Sequence, residues 1–227
     1  MGSGLRLERR DGVAWITIDR PAARNALTPA MCRELVDIVR SLREDREARV
    51  VVLRATGADF TVGADLKEIS GALAPDAAQR ALDIPALARE TTVPLVTGLD
   101  ALPQPIVASL RGHVIGIGAQ LALCADLVVA SETARLLMPQ VRLAHPVDHG
   151  ESWYLPRRIG PARALQLLLL AETLAAPDAL RWGLYNWVVP DSELEERTRE
   201  VVQRLGAVAP VAAARIKALL RASPASD

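Results

Sequence analysis

Gly112-His-Val-Ile-Gly-Ile-Gly-Ala-Gln120 is the most informative stretch of this chain, because an apolar run enters it, three spaced glycines bend it and helix formers leave it. The preceding segment Pro105-Ile-Val-Ala-Ser-Leu-Arg111 reads as a buried strand, and Ala119-Gln-Leu-Ala-Leu-Cys-Ala-Asp126 carries strong helix formers in its first two turns. Gly112, Gly116 and Gly118 permit backbone angles that other residues avoid. The amides that open the helix can then converge on a ligand oxygen with the helix dipole behind them. The same glycines fit a plain strand-to-helix turn, and this segment by itself leaves both readings open.

A second glycine turn, Asp59-Phe-Thr-Val-Gly-Ala-Asp-Leu-Lys67, follows the strand Arg49-Val-Val-Val-Leu-Arg54 and ends where another helix begins. Its Gly63-Ala64 pair offers a second exposed amide. Two such donors from separate loops form an oxyanion hole for a carbonyl oxygen that gains charge in a transition state, each worth about 2.7–4 kcal/mol of barrier.

Further strands are predicted at 5–9, 13–18, 127–130 and 136–138, and helices at 28–44, 161–171, 176–183, 191–208 and 210–222. Strands alternating with helices give an α/β domain of parallel strands and crossovers, in which glycine loops sit at strand ends. The 227 residues, half of them hydrophobic, suit one domain with a sizeable core. With 27 basic and 27 acidic residues the formal charge is zero, which gives no reason to expect a nucleic-acid or membrane partner. Cys32 and Cys124 lack metal or redox spacing and read as buried thiols. No leader and no run long enough to span a membrane is evident, so a cytoplasmic location is expected.

Three separated motifs make the chain resemble the crotonase superfamily, also called the enoyl-CoA hydratase/isomerase family. Asp19-Arg-Pro-Ala-Ala-Arg-Asn-Ala-Leu27 is similar to its N-terminal CoA-contacting segment, Gly63-Ala-Asp-Leu-Lys67 to its first oxyanion loop and Gly112 to Asp126 to its second. Leu155-Pro-Arg-Arg-Ile-Gly160 and Ala179 to Pro190 continue the match to about residue 217. The resemblance implies a spiral of ββα turns over 1–160, with a shortened C-terminal helical region of the same domain over 161–227. It implies an acyl-CoA thioester as ligand, coenzyme A being part of the substrate and no cofactor being held permanently. It further implies a homo-oligomer, a trimer or hexamer, although family members usually carry a few dozen more residues in the C-terminal region. The oxyanion donors would be the N–H groups of Ala64 and Ile117. The thioester would be gripped by Arg20, Ala23, Arg24, Ala26, Asp65, Leu66, Lys67 and Gly116, with Gln120 and Gln140 facing the acyl group.

Hydratases of this family activate water between two glutamates, and the matching positions here are Gln120 and Gln140. A carboxamide takes up no proton at useful pH, so simple hydration chemistry is not expected. The remaining titratable groups concentrate in His145-Pro-Val-Asp-His-Gly-Glu-Ser-Trp-Tyr-Leu155. Asp148 falls where several non-hydratase branches carry a catalytic aspartate, and the run to Arg157 is most similar to the ring-epoxide isomerases of phenylacetyl-CoA degradation. A carboxylate in an apolar acyl pocket is pushed toward neutrality and becomes a better proton shuttle. Asp148 also has the surroundings of an ordinary turn aspartate. His145 and His149 flank it and are candidates to tune it or to act themselves. Glu151 is either a second carboxylate or a first-turn residue favoured by the helix dipole, the latter preferred. Trp153 and Tyr154 are expected in the core.

The function expected is an acyl-CoA isomerase that shifts a double bond through an enolate, with Asp148 moving the proton. One alternative is a non-catalytic acyl-CoA-binding protein. Another is a hydrolase or dehalogenase with Asp148 as nucleophile, weakened by the seven aromatic residues in the whole chain, four Trp, two Tyr and one Phe.

Overall fold

The computed structural model describes residues 4–72, 86–143 and 149–223. Strands β1 (Leu5–Arg10) and β2 (Val13–Ile18) form an antiparallel hairpin closed by Asp11 and Gly12, both at positive φ. Beside β2 run, in parallel, β3 (Val50–Ala55), β4 (Ile106–Leu110), β6 (Leu127–Ser131) and β9 (Trp187–Val189), giving the order β1-β2-β3-β4-β6-β9. A smaller sheet is built from β5 (His113–Ile115), β7 (Arg135–Leu137) and β8 (Leu174–Ala175). Numbering follows chain order, so each parallel neighbour in the larger sheet is reached by a crossover.

Both faces of the larger sheet are covered, which is why β2 and β3 open with the continuous apolar runs Val13–Ile16 and Val50–Leu53. Ala14, Ile16, Ile18, Val51 and Leu53 face one core, shared with helix α1 (Pro29–Glu44) and helix α3 (Thr92–Asp100). Val13, Trp15, Val50 and Val52 face the other, closed by Leu194, Val201 and Val202 of helix α7 (Leu194–Gly206). Helix α1 starts where Thr28 Oγ1 accepts from Met31 N–H at 3.1 Å and Pro29 opens the first turn. Its inward stripe of Met31, Leu35, Val39 and Leu42 follows the helical period.

Helix α2 (Leu66–Ala72) leaves the first glycine turn, and helix α4 (Ile117–Cys124) leaves the second with all eight residues buried. The segment expected as a helix from Pro161 belongs to a longer one, α5 (Glu151–Leu170), broken at Gly160 (φ 76°, ψ 159°) where Pro161 brings no N–H. The region 161–227 is not helical throughout. Between α5 and helix α6 (Ala176–Trp182) it supplies β8, and after α6 it supplies β9, an edge strand of the larger sheet. With two and three residues, β8 and β9 are too short for an alternating pattern to mark them in the sequence.

Helix α8 (Pro210–Ala222) docks through charge. Lys217 Nζ lies 2.7 Å from Asp126 Oδ2 and 2.8 Å from the Gln104 carbonyl, while Arg221 reaches Asp126 Oδ1 at 2.9 Å and Asp100 Oδ1 at 2.7 Å. Among the described residues no helix is long and apolar enough to cross a membrane.

Candidate active site

The two glycine turns are stitched into one structure by isolated parallel bridges. Thr61 pairs with Val114, donating its N–H to His113 O (2.9 Å) and accepting from Ile115 N–H (3.1 Å). Leu27 pairs with Ala64, donating to Gly63 O (2.8 Å) and accepting from Asp65 N–H (2.8 Å). Parallel register therefore uses the groups on either side of Ala64 and turns Ala64's own N–H away from Leu27. Ile117 is the first residue of α4, so its N–H has no intrahelical acceptor. Among the described residues neither amide donates a backbone hydrogen bond outside regular structure.

Two glycines make this possible. Gly116 sits at φ 55°, ψ −117°, a region closed to side-chain-bearing residues, and this conformation turns the chain from β5 into α4. Gly118 lets α4 lie against the first loop, since a Cβ there would fall 2.2 Å from Thr61 Cγ2.

Ala64 and Ile117 line one cavity of about 350 Å³. Its floor is Leu27, Pro29 and Cys32 at the head of α1, one wall is Leu66, Ile69 and Ser70 of α2, and another is Leu87, Ala88, Thr91 and Thr92. Thr91 and Thr92 turn their hydroxyls to the carbonyls of Leu87 (2.6 Å) and Ala88 (3.3 Å), which leaves an apolar wall. Burial pushes the Cys32 thiol up to about 11, so it is protonated at neutral pH and is no nucleophile.

Gln140 and His149 complete the lining. Behind them lies Glu151, with no exposed surface. Its Oε1 accepts from Gln140 Nε2 at 2.7 Å and its Oε2 from the His149 backbone N–H at 2.9 Å, while His149 Nδ1 lies 3.5 Å from Oε1. Burial alone would raise this carboxyl, yet the His149 side chain and the backbone donors together hold it below the usual glutamate range. Glu151 is the first residue of α5, in the first turn, and is wholly buried there. Gln120 is likewise wholly buried, 3.4 Å from Cys124 Sγ and packed beside Gly150. Asp148 and His145 lie outside the described residues.

The N-terminal segment is braced by its own charges. Arg20 Nη1 bonds Asp65 Oδ2 (2.7 Å) and the Ala26 carbonyl (3.1 Å), and Arg24 Nε bonds Asp59 Oδ2 (2.8 Å). Both guanidiniums hold the first glycine loop in place, with Ala23 in a short 3-10 turn between them. Lys67 is exposed and pairs with no carboxylate among the described residues. Asp59 also accepts from His113 N–H (2.9 Å) and His113 Nδ1 (2.7 Å). Against the cost of burial, Arg24 and His113 hold its carboxyl at about 2.

Sequence reasoning passed over Asn25, which is buried at φ 59° and ties three segments together. Its Oδ1 accepts from Arg20 N–H, its Nδ2 donates to the carbonyls of Thr56 and Asp59, and its carbonyl accepts from Thr61 Oγ1. An asparagine in a turn after a strand was the available signal. Trp153 is not in the core as expected, being 46 % exposed under the Arg157 guanidinium, and Tyr154 donates to Asp100 Oδ1 at 2.7 Å.

A family profile described as enoyl-CoA hydratase/isomerase matches residues 8–226. A Rhodobacter capsulatus protein named "Probable enoyl-CoA hydratase" is 37% identical over 195 residues, covering 86% of this chain and 72% of its own. Carnitinyl-CoA dehydratase of Proteus mirabilis is 33% identical over 224 residues, covering 98% and 82%. Among solved structures, AtuE of Pseudomonas aeruginosa superposes with a TM-score of 0.91 at 35% identity, over 99% of this chain and 85% of that one. With the profile spanning nearly its whole length and the glycine turns meeting at one cavity, the chain belongs to the enoyl-CoA hydratase/isomerase family, the crotonase superfamily.

Proposed function

We propose that this protein acts on acyl-CoA thioesters through an enolate and shifts a double bond along the acyl chain. The observation that carries the reading is the pair of amides, Ala64 and Ile117, that open on one largely apolar cavity from two loops locked together. Such donors stabilise charge on a thioester oxygen, and the apolar walls keep water from competing with them. Relatives named for hydration and dehydration of CoA thioesters support the substrate class. Coenzyme A enters as part of the substrate, with Arg20, Ala23, Arg24, Ala26, Lys67 and the Asp65-Leu66 turn at the mouth, and no other cofactor is required.

Isomerisation is favoured over hydration because the two positions that match the family's water-activating glutamates carry Gln120 and Gln140, and of these only Gln140 lines the cavity among the described residues. Neither amide can activate water as a base. Asp148 takes the proton from one carbon, the two amides hold the enolate, and a proton returns to another carbon. The same two glutamines favour a second reading, an acyl-CoA-binding protein without turnover.

Heavy-water incubation with saturated, enoyl and ring-bearing acyl-CoA thioesters separates the two. Deuterium uptake that Asp148→Asn abolishes, with substrate affinity kept, is the expected result. Binding with neither label nor rearranged product across the panel would leave the carrier as the function.

A further inference from the structure

A carboxylate with no exposed surface demands an explanation, because ionised groups are buried only where partners compensate them. Glu151 has three partners among the described residues, and all belong to the cavity wall: the Gln140 carboxamide, the His149 backbone N–H and the His149 ring. Arginine and lysine are absent from this set. The hydrogen bonds also fix polarity. A carboxylate only accepts, so the Gln140 group that faces it is the NH2 end. Among the described residues the nearest group able to carry positive charge is the imidazole of His149, a cavity-lining residue whose Nδ1 lies 3.5 Å from Glu151 Oε1.

We infer that Glu151 is a positioning residue that holds the His149 imidazole, in its protonated form, as the proton donor to the acyl chain. A buried anion beside an imidazole favours the imidazolium and fixes the ring's orientation, as a carboxylate does for other histidines. In the delivery step the imidazolium N–H bond breaks as the enolate's electron pair forms a C–H bond at the acyl carbon. The neutral imidazole then regains a proton from solvent. The role depends on the enolate chemistry proposed above, since without an enolate there is nothing to protonate.

Other ionisable groups near this corner do not offer the same service. Cys124 of α4, reached through Gln120, is pushed up to about 12 by burial, and Tyr154 of α5 is raised further and engaged by Asp100. Cys32 across the cavity is also protonated, at about 11. Arg158 and Arg221 are spent on the carbonyls of Leu123, Ala125 and Cys124. His145 and Asp148 lie outside the described residues.

The test is a double-mutant cycle on solvent-deuterium incorporation, with His149→Gln, Glu151→Gln and both together, on whichever acyl-CoA the wild type labels. His149→Gln should slow incorporation about 10²-fold, and Glu151→Gln about 10-fold, with KM little changed in each. In the His149→Gln background, Glu151→Gln should add nothing. Proton NMR of the imidazole supplies a readout independent of turnover: the ring should titrate at higher pH in the wild type than in Glu151→Gln. Equal losses from Glu151→Gln with and without His149 would overturn the positioning role, as would identical imidazole titrations. Full incorporation in His149→Gln would overturn the donor role while leaving the enolate reading intact. Absence of label in the wild type on every thioester would remove the enolate reading and the donor with it. Should Glu151→Gln fail to fold, His149→Gln alone still decides whether the ring delivers the proton.

Discussion

Two carboxylates in this molecule, Asp126 partly exposed and Glu151 fully buried, are compensated in opposite ways. Asp126 is held by two cations, Lys217 and Arg221, and also accepts from Ile106 N–H at 2.8 Å. Glu151 is held by a carboxamide, a backbone N–H and a histidine ring at 3.5 Å. The first arrangement is charge-saturated and fastens α8 to the sheet end of β4. The second leaves a charge that, among the described residues, a titratable ring is placed to balance, and that ring belongs to a residue of the cavity lining. Strong fixed pairing marks a structural joint, whereas partial compensation by a group that gains and loses protons marks a place for chemistry.

The comparison breaks most sharply at Asp126. Asp126→Ala strands a buried ammonium and a guanidinium, and should cost about 3 kcal/mol in urea unfolding, toward the low end for broken buried pairs because Asp126 is partly exposed. A loss below about 1 kcal/mol would show the joint to be ordinary surface pairing. Gly118→Ala tests the other region without touching a charge. The added methyl meets Thr61 Cγ2, pushes the two glycine loops apart and, on the proposed enolate chemistry, should slow deuterium incorporation about 10²-fold, the scale of a misplacement near 1 Å.

Glu151→Gln should be far milder for stability, about 1 kcal/mol by the same unfolding measurement, because the new amide can accept from His149 N–H and donate to a flipped Gln140. A loss as large as that of Asp126→Ala would erase the distinction between the two sites. A pH dependence comes from a third carboxylate. Asp59 is depressed in the fold to about 2 from 3.8, so its contribution is complete above the unfolded value and is lost as pH falls from about 4 toward 2. Asp59→Asn should flatten that part of the stability profile.

The glycine turns, the apolar strands and the α1 stripe were legible in the sequence because each depends on local rules. Positive φ asks for glycine, two covered sheet faces ask for continuous apolar runs, and one buried helix face asks for a period near 3.6. The short strands β8 and β9 carried too few residues for any period to emerge, and the helix expected to follow Glu151 and the one expected from Pro161 are one element bent at Gly160. Trp153 was placed inside by its chemistry and lies outside because α5 turns that face to solvent under Arg157.

What the sequence by itself determined is the backbone of the site: which residues turn and which amides are left over after the turns. Only the tertiary structure decided what surrounds Glu151. Its burial is set by Gln140, eleven positions earlier, and by the packing of α5 against α4, and no spacing along the chain encodes such a meeting. The same holds for Asn25, whose side-chain partners come from the loop after β2 and the loop after β3. Conformation is a property of a few neighbouring residues, while the cost of burying a charge is set by every element that closes over it.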